Sequence, residues 1–75
     1  MRLSALMGEG FKYIARDQGG DLYAFLEKPE KLKKVWASFG IHRLVDSTEL
    51  DFIKWEDDQP YEITEVIGGK SRELA

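Results

Sequence analysis

Seventy-five residues without a cysteine make one small domain with neither a disulfide framework nor a thiolate metal site to staple it. A domain this small buries only about 60% of its unfolded surface, so its stability falls to the nine aromatic residues Phe11, Tyr13, Tyr23, Phe25, Trp36, Phe39, Phe52, Trp55 and Tyr61. The net charge of −3 hides an asymmetry: residues 1–43 carry eight Lys and Arg against five Asp and Glu, residues 44–75 three against nine. No stretch is apolar for long enough to span a bilayer.

In chain order, residues 1–10 hold a brief apolar patch ended by glycines and Glu9, too short for the apolar region of a signal peptide; they read as a flexible tail. Phe11 to Phe25 follow as two apolar-aromatic runs joined by Asp17-Gln18-Gly19-Gly20-Asp21, and predict a β-hairpin. A three-residue loop, Gln18-Gly19-Gly20, with Gly20 left-handed, sets Tyr13 opposite Phe25 and Ile14 opposite Ala24. A two-residue Gly-Gly loop would set Ile14 opposite Phe25 instead; the first register is favoured.

Lys28-Pro29 ends the second strand, because proline cannot donate to a ladder. In Glu30 to Phe39, Leu32, Val35, Trp36 and Phe39 fall at i, i+3, i+4 and i+7, a helical stripe between Pro29 and Gly40. The competing reading is a strand over 34–39 with Val35, Ala37 and Phe39 on one face. Residues 41–45 form a short strand candidate, closed by a turn at Asp46-Ser47-Thr48, where Ser47 or Thr48 could instead cap a helical turn holding Glu49 and Leu50. Glu56-Asp57-Asp58-Gln59-Pro60 is a polar turn. Tyr61 to Val66 alternates apolar and polar residues, which predicts a final strand. Residues 68–75 read as a second flexible tail, leaving 11–67 as the domain.

The run Lys12-Tyr13-Ile14-Ala15-Arg16-Asp17, a Gly turn and Leu22-Tyr23, then Lys28-Pro29, Trp36, and Ile53-Lys54-Trp55-Glu56-Asp57-Asp58 before Pro60, resembles small uncharacterised phage and prophage proteins of Gram-positive bacteria. The likeness spans roughly residues 11–63 and rests on the order and spacing of short motifs. It implies a phage or prophage origin and a location in the host cytoplasm, and it assigns no residue a role. It also implies an extended conformation over 34–39, and on that ground we read this segment as strand. The expected fold is mainly β, a small antiparallel sheet or partly open barrel of about five strands; the alternative is α+β with one helix near 30–39.

Two groups of residues stand out as candidate sites. Glu56, Asp57 and Asp58 lack the alternating oxygen ligands and central glycine of a calcium loop; they are a solvated turn and, at most, an acidic docking patch for a protein partner. Lys31, Lys33 and Lys34 beside Trp36 form a basic-aromatic surface of the kind that grips single-stranded nucleic acid, although nucleic-acid domains are usually basic overall and both tryptophans are wanted for the core. His42, the only histidine, has no nucleophile placed beside it, and Gly68 to Ser71 resemble the end of a phosphate loop without its strand or helix.

These observations imply no cofactor, no metal and no catalytic centre. The expected function is a non-catalytic protein-binding or regulatory module, monomeric or homodimeric, acting on a protein partner that could belong to the host. The alternative is a single-strand-binding module using Lys31, Lys33, Lys34 and Trp36.

Overall fold

The computed structural model describes residues 3–45 and 50–68. The turn expected at Asp46 to Thr48, its alternative helical cap, and the tail and phosphate-loop motif beyond Gly68 lie outside the described residues.

The Phe11–Phe25 hairpin forms as its sequence predicts. Strand β1 (Tyr13–Arg16) pairs antiparallel with β2 (Leu22–Phe25), with Tyr13 opposite Phe25 and Ile14 opposite Ala24. The Asp17 N–H donates to the Asp21 carbonyl at 2.8 Å, which makes Gln18-Gly19-Gly20 a three-residue loop. Gly20 turns the chain at φ +100°, a conformation that side chains resist.

Strands β3 (Glu30–Lys31) and β4 (Trp36–Ala37) form a small separate hairpin with Lys33 and Lys34 at its tip. The segment 30–39 is therefore not helical, but neither is it one strand over 34–39: only 30–31 and 36–37 pair, and the Leu32 N–H to Val35 carbonyl bond closes the turn between them. Its buried residue is Trp36; of Val35, Ala37 and Phe39, which the strand reading set on one face, Val35 and Phe39 are exposed. Strand β5 (His42–Val45) lines up on β2, and β6 (Tyr61–Glu62) on β1, giving an open antiparallel sheet in the order β5-β2-β1-β6. The fold is mainly β, and among the described residues no barrel closes.

Two expected features are corrected. The final strand stops at Glu62, and Ile63–Ile67 form a short helix. Ile63 and Val66, three residues apart, share the helix face that is buried, while the Glu65 carboxylate accepts the Glu62 N–H at 3.3 Å across the first turn. Likewise the supposed tail 1–10 contains the helix α1 (Leu3–Gly8), which packs against α2 (Ile63–Ile67) and buries Leu6 completely. Replacing Leu6 by alanine should cost about 2 kcal/mol, the low end for a core leucine because α1 is so short. A urea titration checks this; a cost under about 0.5 kcal/mol, the scale of a surface change, would restore the tail.

Side chains alternate across the sheet, so the hairpin is the wall of two separate cores. Ile14, Leu22, Ala24 and Val45 face one way, onto Leu6, Phe11, Ile53, Tyr61, Ile63 and Val66. Ala15 and Phe25 face the other way, onto Trp36, with Tyr13, Tyr23 and Trp55 around them. The nine aromatics do not all enter these cores: Phe39 is wholly exposed.

Candidate functional site

The acidic and basic groups singled out in the sequence turn out to be neighbours. Lys31 lies 24 residues before Trp55, yet its Nζ donates to the Trp55 carbonyl and, at 3.0 Å, to the Asp57 carbonyl. The same ammonium stands 4.3 Å from the centre of the Trp55 ring and 5.7 Å from that of Trp36, where it is attracted by the negative ring faces. Lys31 thus latches the β3–β4 hairpin to the 55–57 turn.

This arrangement divides each predicted patch. Trp36 is buried and cannot offer a face to a base; Lys33 and Lys34 stay exposed at the hairpin tip. In the acidic turn Asp57 is half-buried, its carboxylate accepting the Lys54 N–H at 3.0 Å, whereas Glu56 and Asp58 point to solvent. What remains for a nucleic acid is a pair of lysines without a stacking platform, and for a basic partner a pair of separated carboxylates.

The second hairpin is held at its other end by the first. The Trp36 N–H donates to Asp17 Oδ1 at 2.9 Å and the Gln18 N–H to the Lys34 carbonyl at 3.1 Å. Burial pushes the Asp17 carboxyl up from its ordinary value, aided by Asp21 and opposed by the Trp36 hydrogen bond and His42. A raised pKa in the fold means that this group favours folding most below its ordinary titration range, and that this contribution is lost as pH rises through the raised one.

A hollow of about 310 Å³ opens between β4 and the β2–β5 side of the sheet, lined among others by Asp17, Tyr23, Trp36, Ser38 and His42. His42 stacks edge-on against Tyr23, ring centres 5.2 Å apart, and is exposed. Among the described residues, Trp36 Nε1 and Ser38 Oγ are buried without a hydrogen-bond partner. Such atoms each cost about 1–3 kcal/mol; their residues line this hollow, and Trp36 and Ser38 each line a neighbouring one as well.

Sequence reasoning missed two features. The first is Arg16, whose guanidinium crosses the sheet edge to the carbonyls of Ile53 (2.6 Å), Gly20 (2.7 Å) and Leu50 (3.1 Å); nothing local in Ala15-Arg16-Asp17 signals a partner some 35 residues away. The second is the outer edge of β5, which no other described strand covers. The Asp17–Asp21 pair and the Leu26 N–H to Ile41 carbonyl bond set the phase of the ladders. Ile41, Arg43 and Val45 therefore bond toward β2, and His42 and Leu44 turn their backbone groups outward. Leu44 is 57% exposed, Ile41 66% and Phe39 fully so. The only signal in the sequence was three apolar residues spaced through 39–44 with nothing assigned to cover them.

Among the described residues no group of three or more His, Asp or Glu is placed to hold a metal ion, and no helix is long and apolar enough to cross a membrane. No family model, curated protein or solved structure matches the chain.

Proposed function

We propose that the chain is a non-catalytic protein-binding module of phage or prophage type, acting in the cytoplasm of a bacterial host, and that it docks through the outer edge of β5. The observation that carries this reading is the conjunction at one edge of backbone groups on His42 and Leu44 that pair with no other described residue and the exposed side chains of Phe39, Ile41 and Leu44. Natural edges are often blunted by charged side chains, proline or a bulge; His42-Arg43-Leu44-Val45 has no proline, and its arginine, Arg43, is ion-paired with Glu9 at 2.6 Å. An extended segment of a partner can add to such an edge, with affinity from main-chain hydrogen bonds and specificity from alternate side chains. The phage origin and the location rest on the resemblance of residues 11–63 alone.

The test is affinity capture from a Gram-positive lysate with the unmodified chain, with Leu44→Lys, and with Glu56→Lys plus Asp58→Lys. Capture is expected to be lost with Leu44→Lys and kept with the charge reversal. The opposite pattern would move the docking surface to the acidic turn. A solution mass of twice 8.6 kDa that collapses with Leu44→Lys would show the edge covered by a second copy instead.

A further inference from the structure

We infer that the outer face of the β3–β4 hairpin is a self-association surface. Two copies of the chain meet there across a two-fold axis, Phe39 against Phe39, with Lys28 of one protomer facing Glu30 of its partner. The inference goes beyond the docking reading: it uses neither the backbone of β5 nor Leu44, and shares with that reading only Phe39.

The ladder pairs Glu30 with Ala37 and Lys31 with Trp36. Trp36 enters the second core and Lys31 reaches the 55–57 turn, so this pair faces inward. Alternation then sends Glu30, Leu32, Val35 and Ala37 to the opposite face. That face is open: Leu32 is 52% exposed and Val35 42%. Phe39 lines a hollow of about 220 Å³ together with Leu32 and Ala37, and is itself wholly exposed.

The charges at this hollow select the occupant. Lys28 and Glu30 line it too, both are exposed, and neither has an ion-pair partner among the described residues. A nucleic acid or an anionic lipid surface carries one sign of charge, and would attract Lys28 while repelling Glu30. A patch with one charge of each sign complements its own two-fold image, in which residue i meets j and j meets i. The apolar part of the lining, Leu32, Ala37 and Phe39, is likewise its own match, and a pair of phenyl rings gains beyond the area it buries. A chain of seventy-five residues without a cysteine is also of the size that gains most from pairing.

The experiment is sedimentation equilibrium of the full chain, 8.6 kDa, in a concentration series up to about 1 mM, the range in which weak association still shows. The unmodified chain is expected to reach twice that mass. Phe39→Ser should weaken the dimer by about a hundred-fold or more, because two aromatic side chains lose their burial at once. Leu44→Lys, outside the face, should change it by less than about two-fold. Lys28→Glu and Glu30→Lys should each weaken self-association about ten-fold, since both reciprocal contacts turn from attraction to repulsion. Mixed in equal amounts, these two variants should dimerise with each other about as tightly as the unmodified chain, every contact again joining opposite charges. Phe39, Lys28 and Glu30 are exposed, so the substitutions leave the fold intact. A single species of 8.6 kDa throughout the series overturns the inference, and so does a dimer lost with Leu44→Lys and kept with Phe39→Ser. A mixture of the charge variants no tighter than either alone overturns it equally. Capture lost with Leu44→Lys speaks to the β5 edge alone, so the two readings fail separately.

Discussion

Replacing Trp36 by alanine is expected to lower the stability of the fold by about 4 kcal/mol, within the range for truncating a buried tryptophan. A domain of this length has roughly 4–11 kcal/mol in total, so the variant should sit near its unfolding threshold at room temperature. The reason is position: Trp36 is the piece of the β3–β4 hairpin that enters the second core, against Ala15 and Phe25, and its backbone is bonded to Asp17. Trp36→Phe should behave differently. It leaves a smaller void and removes the unpartnered indole N–H, two effects of opposite sign, and its net cost is expected to stay within about 1 kcal/mol. Urea unfolding of the two variants side by side is the check. Equal losses would mean that the indole nitrogen is not an orphan; a negligible loss for alanine would mean that the second core is not a packed one.

The second large effect is expected at Arg16. Substitution by methionine, which keeps much of the length and none of the donors, should cost about 3 kcal/mol, because the carbonyls of Gly20, Leu50 and Ile53 lose a charged partner together. Leu50 adds to the sensitivity of this place: it holds the left-handed backbone at φ +59°, a conformation that costs a side-chain-bearing residue roughly 1–2 kcal/mol. Arg16 and the Ile53 N–H both bond its carbonyl. Lysine has one nitrogen and cannot span the three acceptors, so Arg16→Lys should recover less than half of the loss. Thermal unfolding of the three chains decides; a full rescue by lysine would show that charge alone, and not the forked geometry, holds the 50–53 turn.

Why these two residues escaped the sequence, while the hairpin did not, is a matter of range. The hairpin register follows from local counting: the number of residues between Arg16 and Leu22 and the glycine that can turn at Gly20 leave few ways to pair the arms. The local pattern of 30–39 fits a helix as well as a strand over 34–39; what overrides the helical stripe is the pull of Asp17, Gln18 and Trp55 on the segment from outside. Tyr61 to Val66 fails for the converse reason. Its alternation is that of a strand, but Ile63 and Val66 also fit one helical face, and Glu65 is spaced to close the first turn on Glu62. In α1 a single buried side chain, Leu6, carries the helix into the core, and one leucine makes no periodicity. The candidate sites were half legible. The lysines and the acidic turn are where charge placed them, but that Lys31 would bind the 55–57 turn, and thereby empty both patches of a residue, depends on a contact across 24 positions.

The pairing of two cores on one hairpin has a consequence for how the molecule comes apart. The β3–β4 hairpin touches the rest through Lys31, Trp36 and the Asp17–Gln18 loop, so it can open and expose the second cluster while the four-stranded sheet stays closed. The β1–β2 hairpin has no such partial route, because lifting it strips both clusters at once. Amide protons of Ala15 and Tyr23, paired with each other at its centre, belong to the last-exchanging class, and those near Trp36 to an earlier one. The molecule is thus built in two tiers of permanence, and the hollow beside Asp17 lies along the seam between them.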